Sequence, residues 1–154
     1  MRDRILLVDD HDVILEGIRS LVERSGKSWE ICGTAHNGQE GVETAHALKP
    51  DIVVLDISMP VMNGIDATKA IIHDDKDAKV LLFTMHDSER MEQEAREAGA
   101  RGIVTKSQAG RSLIRAIGAI LGGATYFGSV SDAGSPNPPR KKKLPGMGGL
   151  NFVI

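Results

Sequence analysis

The chain carries one cysteine, Cys32, so it cannot form an internal disulfide. A reducing, cytoplasmic setting is expected. Aromatic residues are also scarce, at 3% of the sequence, which leaves Ile, Leu, Val and Ala to fill the core. No apolar run approaches the roughly 18 residues of a membrane helix, so no membrane segment is expected. The first residues, Met1-Arg2-Asp3-Arg4, run straight into a short apolar stretch and lack the layout of a secretory signal. An excess of positive charge is missing too. The formal net charge is −2, and residues 1–128 hold 20 of the 21 acidic residues but 15 of the 19 basic ones. That body is not an obvious nucleic-acid binder. Only residues 129–154 are basic, with Arg140, Lys141, Lys142 and Lys143 against Asp132.

What the sequence does have is a regular alternation of short apolar runs and amphipathic stretches, over a length that suits one domain. The pattern predicts strands β1 to β5 over 4–8, 29–34, 52–55, 79–84 and 102–104. It predicts helices α1 to α5 over 12–24, 38–48, 64–73, 87–98 and 108–121. Helix α1 sets Ile14, Ile18, Leu21 and Val22 on one face, with Asp12 as its expected N-cap. Pro50 ends α2 by pushing Lys49 out of helical geometry, and Gly99 stops α4. Five βα units imply a parallel sheet covered on both faces, and right-handed crossovers make it doubly wound. The expected fold is α/β and flavodoxin-like, with strand order 2-1-3-4-5. The domain is expected to span 1–128. Residues 129–154, with Ser135-Pro136-Asn137-Pro138-Pro139 and Pro145-Gly146-Met147-Gly148-Gly149, bury too little apolar surface to fold and read as a flexible basic tail.

The strand ends carry the chemistry. Asp9 and Asp10 follow Ile5-Leu6-Leu7-Val8, Asp56 follows Ile52-Val53-Val54-Leu55, Thr84 closes β4, and Lys106 follows β5. In a doubly wound sheet these positions share one rim. Three carboxylates there repel one another unless a cation joins them, and an oxygen-only ligand set suits Mg²⁺. A carboxylate, a divalent ion, a hydroxyl and an ammonium group together suit the handling of a phosphoryl group. Asp56 is the expected nucleophile, forming an acyl phosphate. The alternative is a Mg²⁺-dependent phosphohydrolase with the same aspartyl intermediate. Phosphatases of the haloacid-dehalogenase type need a second acid two residues after the nucleophile, and position 58 is Ser. His11 reads as a loop residue, and His86 lies where it can shape the access of water. Cys32 reads as core packing. Asn37-Gly38-Gln39-Glu40-Gly41 is too weak a glycine pattern for a nucleotide loop.

Four segments extend this reading: Ile5 to His11, Pro50 to Gly64, Leu82-Phe83-Thr84 and Ala98 to Lys106. Over about residues 3–127 they resemble the receiver domain of bacterial two-component response regulators. The segment Asp56-Ile57-Ser58-Met59-Pro60-Val61-Met62-Asn63-Gly64 is the most specific. The resemblance implies that Asp56 is phosphorylated from a phosphohistidine on a sensor histidine kinase. It implies Mg²⁺ held by Asp10, Asp56 and the backbone carbonyl of Ser58, with Asp9 acting largely through water. Thr84 and Lys106 would contact the bound phosphoryl group. The chain would then be a switch rather than a multiple-turnover enzyme. Its α4–β5–α5 face would bind a partner or a second copy of the chain and so control transcription or another output. Leu121-Gly122-Gly123-Ala124-Thr125-Tyr126-Phe127 is similar to the point where regulators of the NarL/FixJ type leave the receiver. A helix-turn-helix domain normally follows there, and the 26 residues 129–154 are too few for one. Many receivers carry Tyr or Phe three positions before the lysine, where this chain has Ile103, and many follow the lysine with proline, where it has Ser107.

Overall fold

The computed structural model describes residues 2–85 and 88–127. The expectations for His86 and for the tail 129–154 lie outside them. The elements run β1 (Asp3–Val8), α1 (Asp12–Arg24), β2 (Trp29–Ala35), α2 (Gly38–Leu48), β3 (Ile52–Asp56) and α3 (Gly64–Asp74). They continue with β4 (Val80–Thr84), α4 (Glu89–Ala98), β5 (Gly102–Thr105), a 3-10 turn (Lys106–Gln108) and α5 (Ala109–Leu121). The strands form one parallel sheet in the order β2-β1-β3-β4-β5, which is the expected flavodoxin-like arrangement.

Alternation along each strand sends side chains to opposite faces, and both faces are covered. Ile5, Leu7, Ile52, Val54, Leu81 and Val104 meet Leu15, Ile18, Leu113 and Ile117 of α1 and α5. Leu6, Val8, Val53, Leu55, Leu82 and Ile103 meet Ala45, Ala67, Ile71 and Ala95 of α2, α3 and α4. The central strands β3 and β4 are buried throughout, which is why they read as unbroken apolar runs.

Three local readings need correction. Asp12 is the first residue of α1, not its cap; His11 is the cap, extended at φ −113° and ψ 114°. The Asp12 carboxylate instead meets His36 Nε2 at 3.1 Å. Leu15 joins the buried face of α1, while Ile14 and Leu21 are only partly buried. Cys32 is half-buried rather than core. The β1–β2 register slips there, with Ile5 opposite Ile31 and Leu6 opposite Gly33, so Cys32 is the extra residue of a bulge in an edge strand. Partial burial pushes its thiol pKa up. Gly99 stops α4 at φ 102°, as expected, and Lys49 leaves the right-handed helical region before Pro50, although into the left-handed region at φ 51° rather than the extended one that proline favours.

Candidate functional site

Register brings the acids together. Val8 pairs with Leu55, so Asp9 and Asp56 are the next residues on adjacent strands. Asp56 pairs with Phe83, one residue before Thr84, and Thr84 pairs with Thr105, one residue before Lys106. All these positions lie at the carboxyl rim of the sheet. Asp9 and Asp56 are 1% and 3% exposed, which is rare for carboxylates unless they are paired.

The Lys106 side chain is 11% exposed and supplies the pairing. Its Nζ lies 3.0 Å from Asp9 Oδ2 and 3.2 Å from Asp56 Oδ1. It also sits 5.6 Å from the centre of the Phe83 ring. Burial alone would lower the lysine pKa, but the contacts with Asp9 and Asp56 outweigh it and hold the pKa above the ordinary lysine value. Burial raises the Asp56 pKa and the Asp9 charge raises it further, against opposition from Lys106 and from the Ser58 backbone N–H. Thr84 is buried at the adjoining strand end. Asp10 is half-buried beside this group.

His11 is closer to the acids than a plain loop residue would be. Its Nδ1 lies 3.1 Å from Asp9 Oδ1 and 3.2 Å from Asp10 Oδ1, and its backbone N–H donates to Asp9 Oδ1 at 2.9 Å. No sequence signal separated it from an ordinary residue after an acidic pair.

One chemical test bears on a metal. Asp9 Oδ2 and Asp10 Oδ1 are buried oxygens to which no donor presents an aligned hydrogen bond, despite the short ion-pair distances. Asp9, Asp10, His11 and Asp56 each offer a ligand atom, and these atoms lie within 4.8 Å of one another. A single hard cation with bonds of about 2.1 Å nearly bridges that span, and it would complete the coordination of oxygens that have ion-pair neighbours but no aligned hydrogen bond. The residues fit such an ion.

The loop from Asp56 to Gly64 is built for close approach. A Cβ on Gly64 would collide with the Asp56 carbonyl oxygen and with Ile57 Cα. Gly64 N–H donates to Ile57 O at 2.8 Å, and Asn63 caps α3 by accepting from Asp66 N–H at 2.9 Å. Met62 N–H donates to Pro60 O at 2.7 Å, a γ-turn centred on Val61 at φ 70°. Gly38, in the weak glycine pattern after β2, has a packing reason, since a Cβ there would strike the Met62 carbonyl.

A family model for the response regulator receiver domain matches residues 5–118. The chain belongs to this family. The receiver is 31% identical to the transcriptional regulatory protein MctR of Rhizobium johnstonii over 154 residues, covering 94% of this chain and 72% of that protein. It is 41% identical to the chemotaxis protein CheY of Thermotoga maritima over 106 residues, covering 69% of this chain and 87% of that protein. A crystal structure of a LuxR-family two-component response regulator from Aurantimonas superposes with a TM-score of 0.79 at 40% identity, covering 84% of this chain and 91% of that one. Among the receiver's relatives are response regulators of the LuxR family and the NarL receiver of Mycobacterium tuberculosis, at 29% identity and a TM-score of 0.74 over 79% of this chain and 98% of that one, in line with the reading of residues 121–127. The receiver spans 72%, 66% and 57% of three longer curated relatives, and so matches only part of their length. No helix among the described residues is long and apolar enough to cross a membrane.

Proposed function

We propose that the receiver is the phosphoacceptor of a two-component relay, with Asp56 as the acceptor. The observation that carries this is Lys106 held between Asp9 and Asp56 at the carboxyl rim, with Asp10 beside them. An Asp56 carboxylate oxygen attacks phosphorus. The bond between phosphorus and the donor's leaving atom breaks, and its electron pair stays with the leaving group, an imidazole nitrogen that carries a proton or, for acetyl phosphate, the acetate anion. Lys106 moves from carboxylate pairing to the new phosphoryl oxygens as a point charge, and Thr84 offers a hydroxyl at the same rim. Mg²⁺ held by Asp10, Asp56 and the Ser58 carbonyl, with Asp9 through water, would neutralise charge on the transferred group. The donor is a phosphohistidine of a sensor histidine kinase, and the setting is the cytoplasm. The receiver turns over once per phosphorylation event, as a signalling switch. Its output face is α4–β5–α5, where a partner or a second copy of the chain would bind, and that output controls transcription.

A surface feature supports docking at this rim. Val13, Val61 and Met85 are the large apolar residues most open to solvent among the described residues, at 81%, 78% and 63% exposure. They lie in the first turn of α1, in the Asp56–Gly64 loop and directly after Thr84, so each follows a strand end at the carboxyl rim within a few residues.

Incubation with acetyl phosphate and Mg²⁺, read by intact mass, is expected to add one phosphoryl group. Asp56→Asn is expected to add none. An unchanged mass for the native chain, or a gain that survives Asp56→Asn, overturns the reading.

A further inference from the structure

After α5 the chain turns back sharply. Gly123 sits at φ 100°, and Gly123 and Ala124 donate to Ile120 O and Ala119 O, both at 2.9 Å. The residues that follow lie along the outer edge of β5. Tyr126 N–H donates to Arg101 O at 2.9 Å, and Ile103 N–H donates to Tyr126 O at 3.0 Å. Gly102 makes this approach possible, because a Cβ there would press on the Tyr126 carbonyl oxygen. Tyr126 joins the apolar cluster shared with α5, whereas Phe127 joins the opposite one, with Ile103, Ala95 and Ala100. The Arg96 guanidinium of α4 lies 3.9 Å from the centre of the Phe127 ring.

This strap is held mainly by its two rings, Tyr126 and Phe127, which are 6% and 3% exposed. Its ladder to β5 is two backbone hydrogen bonds around an isolated bridge. Tyr126 also packs in the α5 cluster, while Phe127 lies against α4, which buries only Ala95 and Ala98 and is otherwise strongly polar. The strap's hold therefore rests on two buried rings and a two-bond ladder rather than on a continuous strand, so its opening depends on how those rings are seated. Ile103 is fully buried beside Phe127 and has no ring to move. The aromatic group in this part of the core therefore comes from the segment that leaves the domain.

We propose that residues 122–127 form a latch, closed by Phe127 and Arg96, which opens when the Asp56 pocket is phosphorylated. The proposal rests on the phosphoacceptor reading and adds to it the route by which the signal leaves. The modified carboxyl carries roughly two negative charges and three acceptor oxygens, and it recruits Thr84 at the end of β4 and Lys106 just past β5. Both positions flank the strand that holds the strap. A shift of β5 and α4 withdraws Arg96 from the ring and weakens the Ile103–Tyr126 pairing. A conformer with the strap open, already present as a minor state, then gains population.

The test is amide hydrogen exchange on the full chain with Mg²⁺, with and without beryllium fluoride as the phosphoryl analogue. The Ile103 and Tyr126 amides are expected to exchange about tenfold faster with the analogue bound. Arg96→Gln, an exposed change, is expected to speed them roughly two- to fivefold without the analogue, and Arg96→Lys is expected to stay nearer the native rate. Exchange at these two amides that is unchanged or slowed by the analogue, while amides around Asp56 and Lys106 do respond, overturns the latch. If the amides around Asp56 show no response either, the phosphoacceptor reading fails and the latch falls with it.

Discussion

Lys106 is the residue on which the pocket's balance turns. It offsets two carboxylates that face each other at a buried strand end. Lys106→Met leaves both uncompensated and is expected to cost about 2–3 kcal/mol in urea unfolding, somewhat less than for a fully buried pair because the site touches solvent. The raised lysine pKa sets the pH range. Its contribution is fully present below the unfolded lysine pKa, so it persists through neutral pH and is lost only as pH rises through the folded value. Asp56 works in the opposite direction. Its raised pKa means that the fold favours the protonated acid, so stability falls as pH rises through that value. Asp56→Asn keeps the shape and removes the charge. In metal-free buffer at neutral pH it is expected to stabilise the receiver by about 1 kcal/mol. Millimolar Mg²⁺ is expected to narrow or reverse that gap, because the ion binds the native chain preferentially. A loss of stability in Asp56→Asn without metal would contradict the reading of Asp56 as an acid destabilised by its surroundings. Val61 offers a simpler case. A β-branched residue at φ 70° with its side chain in solvent gains nothing from packing. Val61→Asn is expected to stabilise by about 1 kcal/mol, seen as a higher urea midpoint with an unchanged slope.

At the scale of elements, the sequence exposed what depends on pattern and hid what depends on approach. The β-branched runs ending in Asp9, Asp56 and Thr84 place the strands because period and burial are written into residue type. The helices follow from their caps and breakers, with Asn37 and Asn63 accepting from Glu40 and Asp66 as such residues do. The position of His11 against the acids, the bulge at Cys32 and the turn at Val61 were not legible. Each is set by neighbours distant in sequence or by a loop path, and no periodicity encodes them. Strand β5 likewise continues one residue past its apolar run, through Thr105, which ladder pairing with Thr84 extends. Gly64 shows the same division. Its presence was part of the motif, but its reason is the Asp56 backbone against which it packs. Gly64→Ala is expected to push the β3–α3 loop away from the pocket, at a cost of about 2–4 kcal/mol and with most acetyl-phosphate labelling lost. Native-like labelling and stability in that variant would show that the loop yields freely.

For the whole molecule, the phosphoacceptor reading carries a further expectation about how a small acidic pocket would select its donor. On that reading, small phosphodonors would need only the carboxylate, the lysine and a metal. A protein donor must also rest against the rim, and the rim carries Val13, Val61 and Met85 exposed on three separate loops or turns. Exposed apolar residues scattered singly need no explanation, but three that each follow a strand end at one rim, on a body rich in acidic residues, suggest a docking ring. Charge added to that ring separates the two kinds of transfer. Val13→Asp places a carboxylate in the first turn of α1, where the helix dipole favours it, so the fold is expected to be unharmed. Met85→Glu adds a second charge directly after Thr84, at the end of β4. The double variant is expected to keep its rate with acetyl phosphate within about twofold of the native chain. Transfer from a cognate phosphohistidine donor is expected to slow by at least roughly tenfold, since burying even one unpaired charge at an interface costs well over 1.4 kcal/mol. Equal slowing with both donors would locate the effect in the pocket and not in docking. Unchanged transfer from the protein donor would show that the donor approaches without touching these side chains.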